Sequence, residues 1–261
     1  MNLLARYLSD LHPLQVVFFR AFGTFAILFP YMLYKKVSIL GTHRTWLTIR
    51  GVVGFLSIAL FFWVLQRIPL GSAISIRYIA PAFSVLLAVI FLKEKVRTWQ
   101  WIGLLMAIIG VFVLKGSDMR IDGLSFILIL ASAILLGTVF TMLRYLGSKE
   151  HFLTIINYFM VACMLGSLAF LHKWRMPSGN EWIWLGTIGL FGLIGQVFMT
   201  KAFQEAETNI IAPFKYMELL YALILGSIFL EETYANYAII GMALIVLGMI
   251  LNVLMVQKKR E

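Results

Sequence analysis

Five charged side chains stand inside apolar stretches of this sequence: Arg20, Arg50, Arg77, Lys215 and Glu218. A charge in hydrocarbon costs at least about 2.5–3.5 kcal/mol, so such residues are the first candidates for ligand contact or proton movement. Arg77 and Lys215 stand 138 residues apart, each one to two turns into its segment. A cationic pair of this kind can hold an anionic or zwitterionic solute. The same side chains can instead snorkel to headgroups or form structural ion pairs. Arg20 lies two turns into its segment and is read as facing a cavity, with a polar contact to an absent first helix as the alternative. Arg50, one turn in, is expected to snorkel back to the headgroups. Glu218 follows Lys215 by three residues, so the two can meet on one helical face. The other reading is a buried carboxyl that titrates nearer neutrality and exchanges a proton. The four histidines, His12, His43, His151 and His172, fall in loops.

Pro81 follows Arg77 by four residues and removes the N–H that would pair with the Arg77 carbonyl, so the helix is expected to kink there. Pro213 is a second candidate hinge. Tyr78, Tyr216, Trp63 and Gln196 are candidates for lining a cavity, where aromatic faces would stack on a planar or cationic solute. The alternative for these four is ordinary packing.

The elements that must position these residues are membrane helices. The chain has 261 residues, of which 61% are hydrophobic and 13% charged, and its mean hydropathy is +0.91. A soluble fold of this length cannot bury so much apolar surface, and lipid must solvate much of it. We read nine spans, at 14–34, 47–66, 72–92, 99–115, 122–143, 153–171, 182–201, 209–230 and 237–256. The net charge of +10 resides mostly in short loops. It therefore reads as a topology signal toward anionic lipid, and nucleic acid is not expected as a partner. Loops on the side of the C-terminus carry 12 basic residues and the opposite side 6, which predicts a cytoplasmic C-terminus. Cys163 is the single cysteine, so an intrachain disulfide is excluded. No cleavable signal peptide is read in the first thirteen residues.

The sequence also repeats itself. At an offset of 138 residues Gly51 falls on Gly189, Gly54 on Gly192, Gln66 on Gln204, Tyr78 on Tyr216, Phe91-Leu92 on Phe229-Leu230, Glu94 on Glu232, Gly103 on Gly241 and Gly110 on Gly248. The repeats divide the chain into 1–117 and 118–261. Duplicated membrane bundles mark secondary transporters. Arg6-Tyr7-Leu8 matches Arg144-Tyr145-Leu146 at the same offset, so the first copy begins where the span at 122–143 has its counterpart's end. The expected fold is an all-α polytopic membrane bundle. It has nine transmembrane helices here, from a five-plus-five, inverted-repeat, ten-helix architecture that lacks its first helix. The glycine pairs Gly103/Gly110 and Gly241/Gly248 are expected to serve close packing. Glu94 and Glu232 are expected to cap helix ends.

The stretches Arg77-Tyr78-Ile79-Ala80-Pro81 to Phe91-Leu92-Lys93-Glu94, Gly103 to Gly110, and Ile211-Ala212-Pro213-Phe214-Lys215-Tyr216 through Glu232 to Gly248 resemble the EamA family of the drug/metabolite transporter superfamily. The resemblance covers essentially the whole chain. It implies ten-helix secondary carriers with both termini inside, moving metabolites, often outward. Riboflavin-like compounds, S-adenosylmethionine and amino acids are the substrate classes it suggests. The expected activity is alternating-access transport of a small metabolite across the plasma membrane, the inner membrane in a bacterium. Arg20, Arg77 and Lys215 would bind the solute, and Glu218 is the proton-coupling candidate. Expected partners are the metabolite and membrane lipid, with a homodimer left open, and no cofactor or metal is expected. The alternatives are a membrane-embedded lipid-modifying enzyme and a non-transporting remnant. An enzyme of that kind usually needs clustered Asp, His or Glu near the interface, and Asp10, Asp118 and Asp122 are isolated from one another.

Overall fold

The structure is a computed structural model that describes residues 2–93, 98–117, 121–206, 211, 217–229, 231 and 236–257. All regular structure among them is helical. The helices are α1 (Asn2–Tyr7), α2 (Pro13–Tyr34), α3 (Arg44–Leu65), α4 (Leu70–Arg77), α5 (Ala80–Leu92), α6 (Thr98–Ser117), α7 (Gly123–Leu146), α8 (Phe152–Leu168), α9 (Glu181–Glu205), α10 (Met217–Phe229) and α11 (Asn236–Gln257). Five stretches are long and apolar enough to cross a membrane: Pro13–Tyr34, Arg44–Leu65, Leu70–Leu92, Gly123–Leu146 and Glu181–Glu205. The chain is a polytopic membrane helix bundle.

Local chemistry sets the helix ends. Pro13 opens α2, where its missing N–H costs nothing. His12 and His151 cap α2 and α8 in the same way, their Nδ1 atoms accepting from the amides of Leu14 and Leu153 at 3.3 and 3.2 Å. Lys93 ends α5 in the left-handed region at φ 56°. The third span is interrupted: α4 stops at Arg77, Tyr78 and Ile79 form a turn, and α5 resumes at Ala80 with Pro81 next.

The chain forms two compact units, and each takes segments from both halves of the sequence. The first comprises residues 1–66 and 142–205, the second residues 67–141 and 206–261. In the first, α2 packs on α3, α8 and α9, and α3 and α9 both pack on α8. In the second, α6 packs along α11 and α4 packs on α6, α10 and α11. Gly103, Gly110, Gly241 and Gly248 are all buried on the α6 and α11 pair.

A side-chain clasp holds one end of the first unit. Glu150 accepts from the Thr42 amide at 2.7 Å, the Thr42 hydroxyl at 2.6 Å and the His43 amide. The Thr154 hydroxyl donates to Ser38 O at 2.6 Å and the Tyr158 hydroxyl to Leu40 O at 2.9 Å. Gly41 in this loop has φ +62°, and a Cβ there would fall 2.5 Å from Glu150 Oε2. Only glycine fits that place without strain. At the other end Arg175 binds both carboxylate oxygens of Glu181.

Candidate functional site

The glycines of the repeat set where charge is placed in the first unit. Gly189 on α9 lies against Gly23 on α2, so closely that a Cβ on it would stand 2.9 Å from the Gly23 Cα. One turn along, a Cβ on Gly192 would meet Arg20 Cγ at 3.2 Å and Thr24 Oγ1 at 3.3 Å. The Thr24 hydroxyl donates to Gly189 O at 2.9 Å. The counterparts of these glycines, Gly51 and Gly54 on α3, make the same contacts with α8. Gly51 lies against Tyr158 O and Ala162, and Gly54 against the Phe159 ring. Matching contact to contact pairs α2 with α8 at an offset of 139. Gly23 then corresponds to Ala162, Thr24 to Cys163, and Arg20 to Phe159.

These non-identical equivalents meet. Arg20 is 2% exposed, and its guanidinium carbon lies 5.7 Å from the Phe159 ring centroid. Arg50 is 1% exposed, with its guanidinium carbon 4.5 Å over the same ring. The expected snorkelling of Arg50 is therefore corrected. Gly54, four residues on and on the same face, leaves a path along α3, and the side chain folds inward onto the α8 ring. Cys163, one turn beyond Phe159, is fully buried and within electrostatic reach of both arginines. Gln196, one turn beyond Gly192, is 9% exposed, and its buried Oε1 has no hydrogen-bond partner. Trp63 is half-buried in α3.

The second unit holds the other candidates. Arg77 is the last residue of α4 and half-buried. Tyr78 is 6% exposed and donates its hydroxyl to Glu218 Oε2 at 2.7 Å. Glu218 stands in the first turn of α10, where the helix dipole favours a negative charge. The expected pairing of Glu218 with Lys215 falls outside the described residues, and Tyr78 in the turn after α4 adds a contact from another element. Pro81 is the second residue of α5, just past the α4–α5 turn. Lys215, Tyr216 and Pro213 lie outside the described residues, as do Glu94 and Glu232. The structure thus joins Tyr78 to Glu218, and sets Arg20 of α2 against Gly192 of α9, one turn from Gln196.

Phe159 and the inward turn of Arg50 escaped the sequence reading. The signal was available in part. The capping histidines His12 and His151 are 139 residues apart, which marks a one-residue shift just before α8. With that shift Arg20 aligns with Phe159, whereas the offset of 138 aligns it with Tyr158.

The sequence model of the EamA-like transporter family matches residues 2–115 and again 123–254. The chain belongs to the EamA family. Its relatives include human solute carrier family 35 member G1, 29% identical over 88% of this chain and 68% of the relative. The pseudopaline exporter CntI of Pseudomonas aeruginosa PAO1 is 28% identical over 96% of this chain and 89% of its own. An S-adenosylmethionine uptake transporter of Rickettsia felis is 27% identical over 99% and 88%. A solved crystal structure covering 100% of this chain and 96% of its own superposes with a TM-score of 0.76 at 18% identity, which shows the fold. An EamA chain of this kind is a small-molecule transporter of the drug/metabolite superfamily, integral to a membrane.

Proposed function

We propose that this EamA-family chain is a secondary active carrier, and not an enzyme, that moves a small metabolite across the plasma membrane by alternating access. The observation that carries this reading is the fully buried Arg20, held inside a membrane bundle against glycine and an aromatic ring. A charge there is costly as structure alone and useful to a polar cargo. Arg20, Arg77 and Lys215, with Tyr78, Tyr216, Trp63 and Gln196, are the residues that contact the solute in this reading. Helix bundles drawn from the repeats 1–117 and 118–261 rock during the cycle, with Pro81 and Pro213 as hinges. Glu218, held by the Tyr78 hydroxyl, carries the coupled proton. The C-terminus is cytoplasmic, as the basic loops favour. Relatives named for S-adenosylmethionine uptake and pseudopaline export support a metabolite cargo, with flavins and amino acids as the other classes to try.

The test is uptake into proteoliposomes holding the purified chain, against a panel of flavins, amino acids, nucleotides and S-adenosylmethionine, with and without a pH gradient. Saturable uptake of one compound, lost in Arg20→Ala, is the expected result. Gradient dependence that disappears in Glu218→Gln would assign the proton. Absence of uptake for every compound in a correctly inserted protein would count against a carrier of these cargoes.

A further inference from the structure

The first unit buries two cations deep in its helices and keeps its own acids at helix ends and in loops. Arg20 stands seven residues into α2 and Arg50 six residues into α3, depths of about 10 Å and 9 Å at the α-helical rise. The two helices are consecutive and joined by a short loop, so they run in opposite directions. The long side chains therefore reach inward from opposite ends and converge on Phe159. The acids of this unit are Asp10, Glu150, Glu181 and Glu205. Asp10 precedes α2, Glu150 precedes α8 and is filled by Thr42 and His43, and Glu181 and Glu205 are the first and last residues of α9. Arg50 Nε and Nη1 are buried with no hydrogen-bond partner. Donors on a charged group in a low-dielectric interior are costly to leave unfilled. A π face offsets part of that cost but accepts no strong hydrogen bond.

The geometry points to an oxyanion site on Arg20 and Arg50, where a carboxylate or phosphate group of a small solute is held over Phe159. Planar guanidinium groups match both oxyanions, and two of them offer more donors than one carboxylate can fill. The repeat explains how the site arose on a packing surface. The glycine at 192 admits the stem of Arg20 just as its counterpart at 54 admits the ring of Phe159. That this site carries cargo across the membrane rests on the carrier reading above; that it binds an oxyanion does not.

Cys163 makes the proposal testable without transport. It is the single cysteine, one turn from Phe159, and lies in the field of both guanidiniums. The purified chain in phosphatidylcholine nanodiscs is treated with two methanethiosulfonate reagents of similar size, one bearing a sulfonate and one a trimethylammonium group. The adduct on Cys163 is followed by mass spectrometry. The anionic reagent is expected to react faster by about tenfold or more, the range that electrostatic focusing in a low-dielectric cleft gives. Arg20→Gln and Arg50→Gln should each pull the ratio toward one, while Arg50→Lys retains most of it. Millimolar glutamate or inorganic phosphate should slow the anionic reagent. Protection by glutamate alone assigns a carboxylate, and by phosphate alone a phosphate. Equal rates, a faster cationic reagent, no reaction with either reagent, or protection by neither anion would overturn the site. If the glutamine variants fail to fold, the wild-type rate ratio and the Arg50→Lys variant still decide. Charge-selective labelling in a protein that moves nothing would sink the carrier reading alone, and transport without selective labelling would sink the site alone.

Discussion

Two contacts in the first unit are built to the same plan and differ in chemistry. On one side α9 meets α2 through Gly189 on Gly23 and Gly192 on Arg20; on the other, α3 meets α8 through Gly51 on Ala162 and Gly54 on Phe159. The flanking hydrogen bonds repeat as well. Gln66 Nε2 donates to Leu11 O at 3.0 Å, and its counterpart Gln204 donates to Glu150 O at 2.8 Å. What the two contacts share is backbone approach and main-chain hydrogen bonding, the part that packing demands. Where they part, one presents a guanidinium and the other a ring, or Leu11 where the other has Glu150. Duplication therefore accounts for the scaffold, and the departures from it mark where function is to be sought.

The largest expected effect breaks the shared part. Gly189→Val drives a side chain into the Gly23 backbone, which cannot rotate away, and should cost about 3 kcal/mol, at the upper end for overpacking. Gly192→Ala meets only the flexible stem of Arg20 and should cost about 1 kcal/mol or less. Unfolding midpoints in detergent compare the two, and equal costs would contradict the distinction between backbone and side-chain contact.

Next comes the substitution that makes the two contacts alike. Arg20→Phe removes the buried charge and repeats the Phe159 arrangement. The protein should still fold, while saturable uptake of its cargo falls by at least about tenfold, the equivalent of about 1.4 kcal/mol of lost binding. Retained uptake would show that the difference between the two contacts is not functional.

The difference between Leu11 and Glu150 is read through pH. Burial pushes the Glu150 carboxyl up, but the Thr42 hydroxyl and the His43 and Thr42 amides outweigh it and leave it below the usual carboxylate value. The folded state then binds fewer protons than the unfolded one. The clasp contributes fully above the ordinary glutamate range near 4.5 and is lost as pH falls through the lower folded value. Glu150→Gln should cost about 1.5–3 kcal/mol at neutral pH, the worth of hydrogen bonds to a charged group, and flatten the acid limb of the stability profile. An unchanged acid limb would remove Glu150 from the account.

The smallest effect tests the caps. His12→Ala and His151→Ala should each cost about 0.5–1 kcal/mol, the usual worth of an N-cap. Burial, with Lys173 and His172 adding to it, lowers the His12 value; burial and Lys201 lower that of His151. Both rings therefore stay neutral acceptors above about 6.5, and the caps fail as pH falls through the lower folded values. Equal losses from the two variants, with parallel pH profiles, would support the one-residue shift that aligns these histidines.

Much of the fold was legible because its causes are local. Apolar runs of membrane length, loop charges and a recurring offset are properties of the string, and they gave the spans, the helical class and the family. The candidate site was legible only as a set of costly charges. Arg20 stood out because lipid penalises it wherever it points. Arg50 looked like a headgroup contact because its distance from a helix end was known and its direction was not. Glu218 was matched with Lys215, its neighbour in sequence, because periodicity finds partners on one helix. The bond from Tyr78, 140 residues away in the α4–α5 turn, has no such periodicity to betray it.

The sequence by itself determined that the chain crosses the membrane, that it is duplicated, and which side chains are expensive to place there, since these follow from composition and periodicity. Only the tertiary structure decided that the compact units draw on both halves of the sequence, that α2 aligns with α8 one residue out of step, and that two arginines from different helices share one phenylalanine. The physical reason is range. Burial and turn preferences act on neighbours along the chain, whereas the approach of two helices at a glycine, and the direction it gives a long cationic side chain, exist only once distant segments have packed.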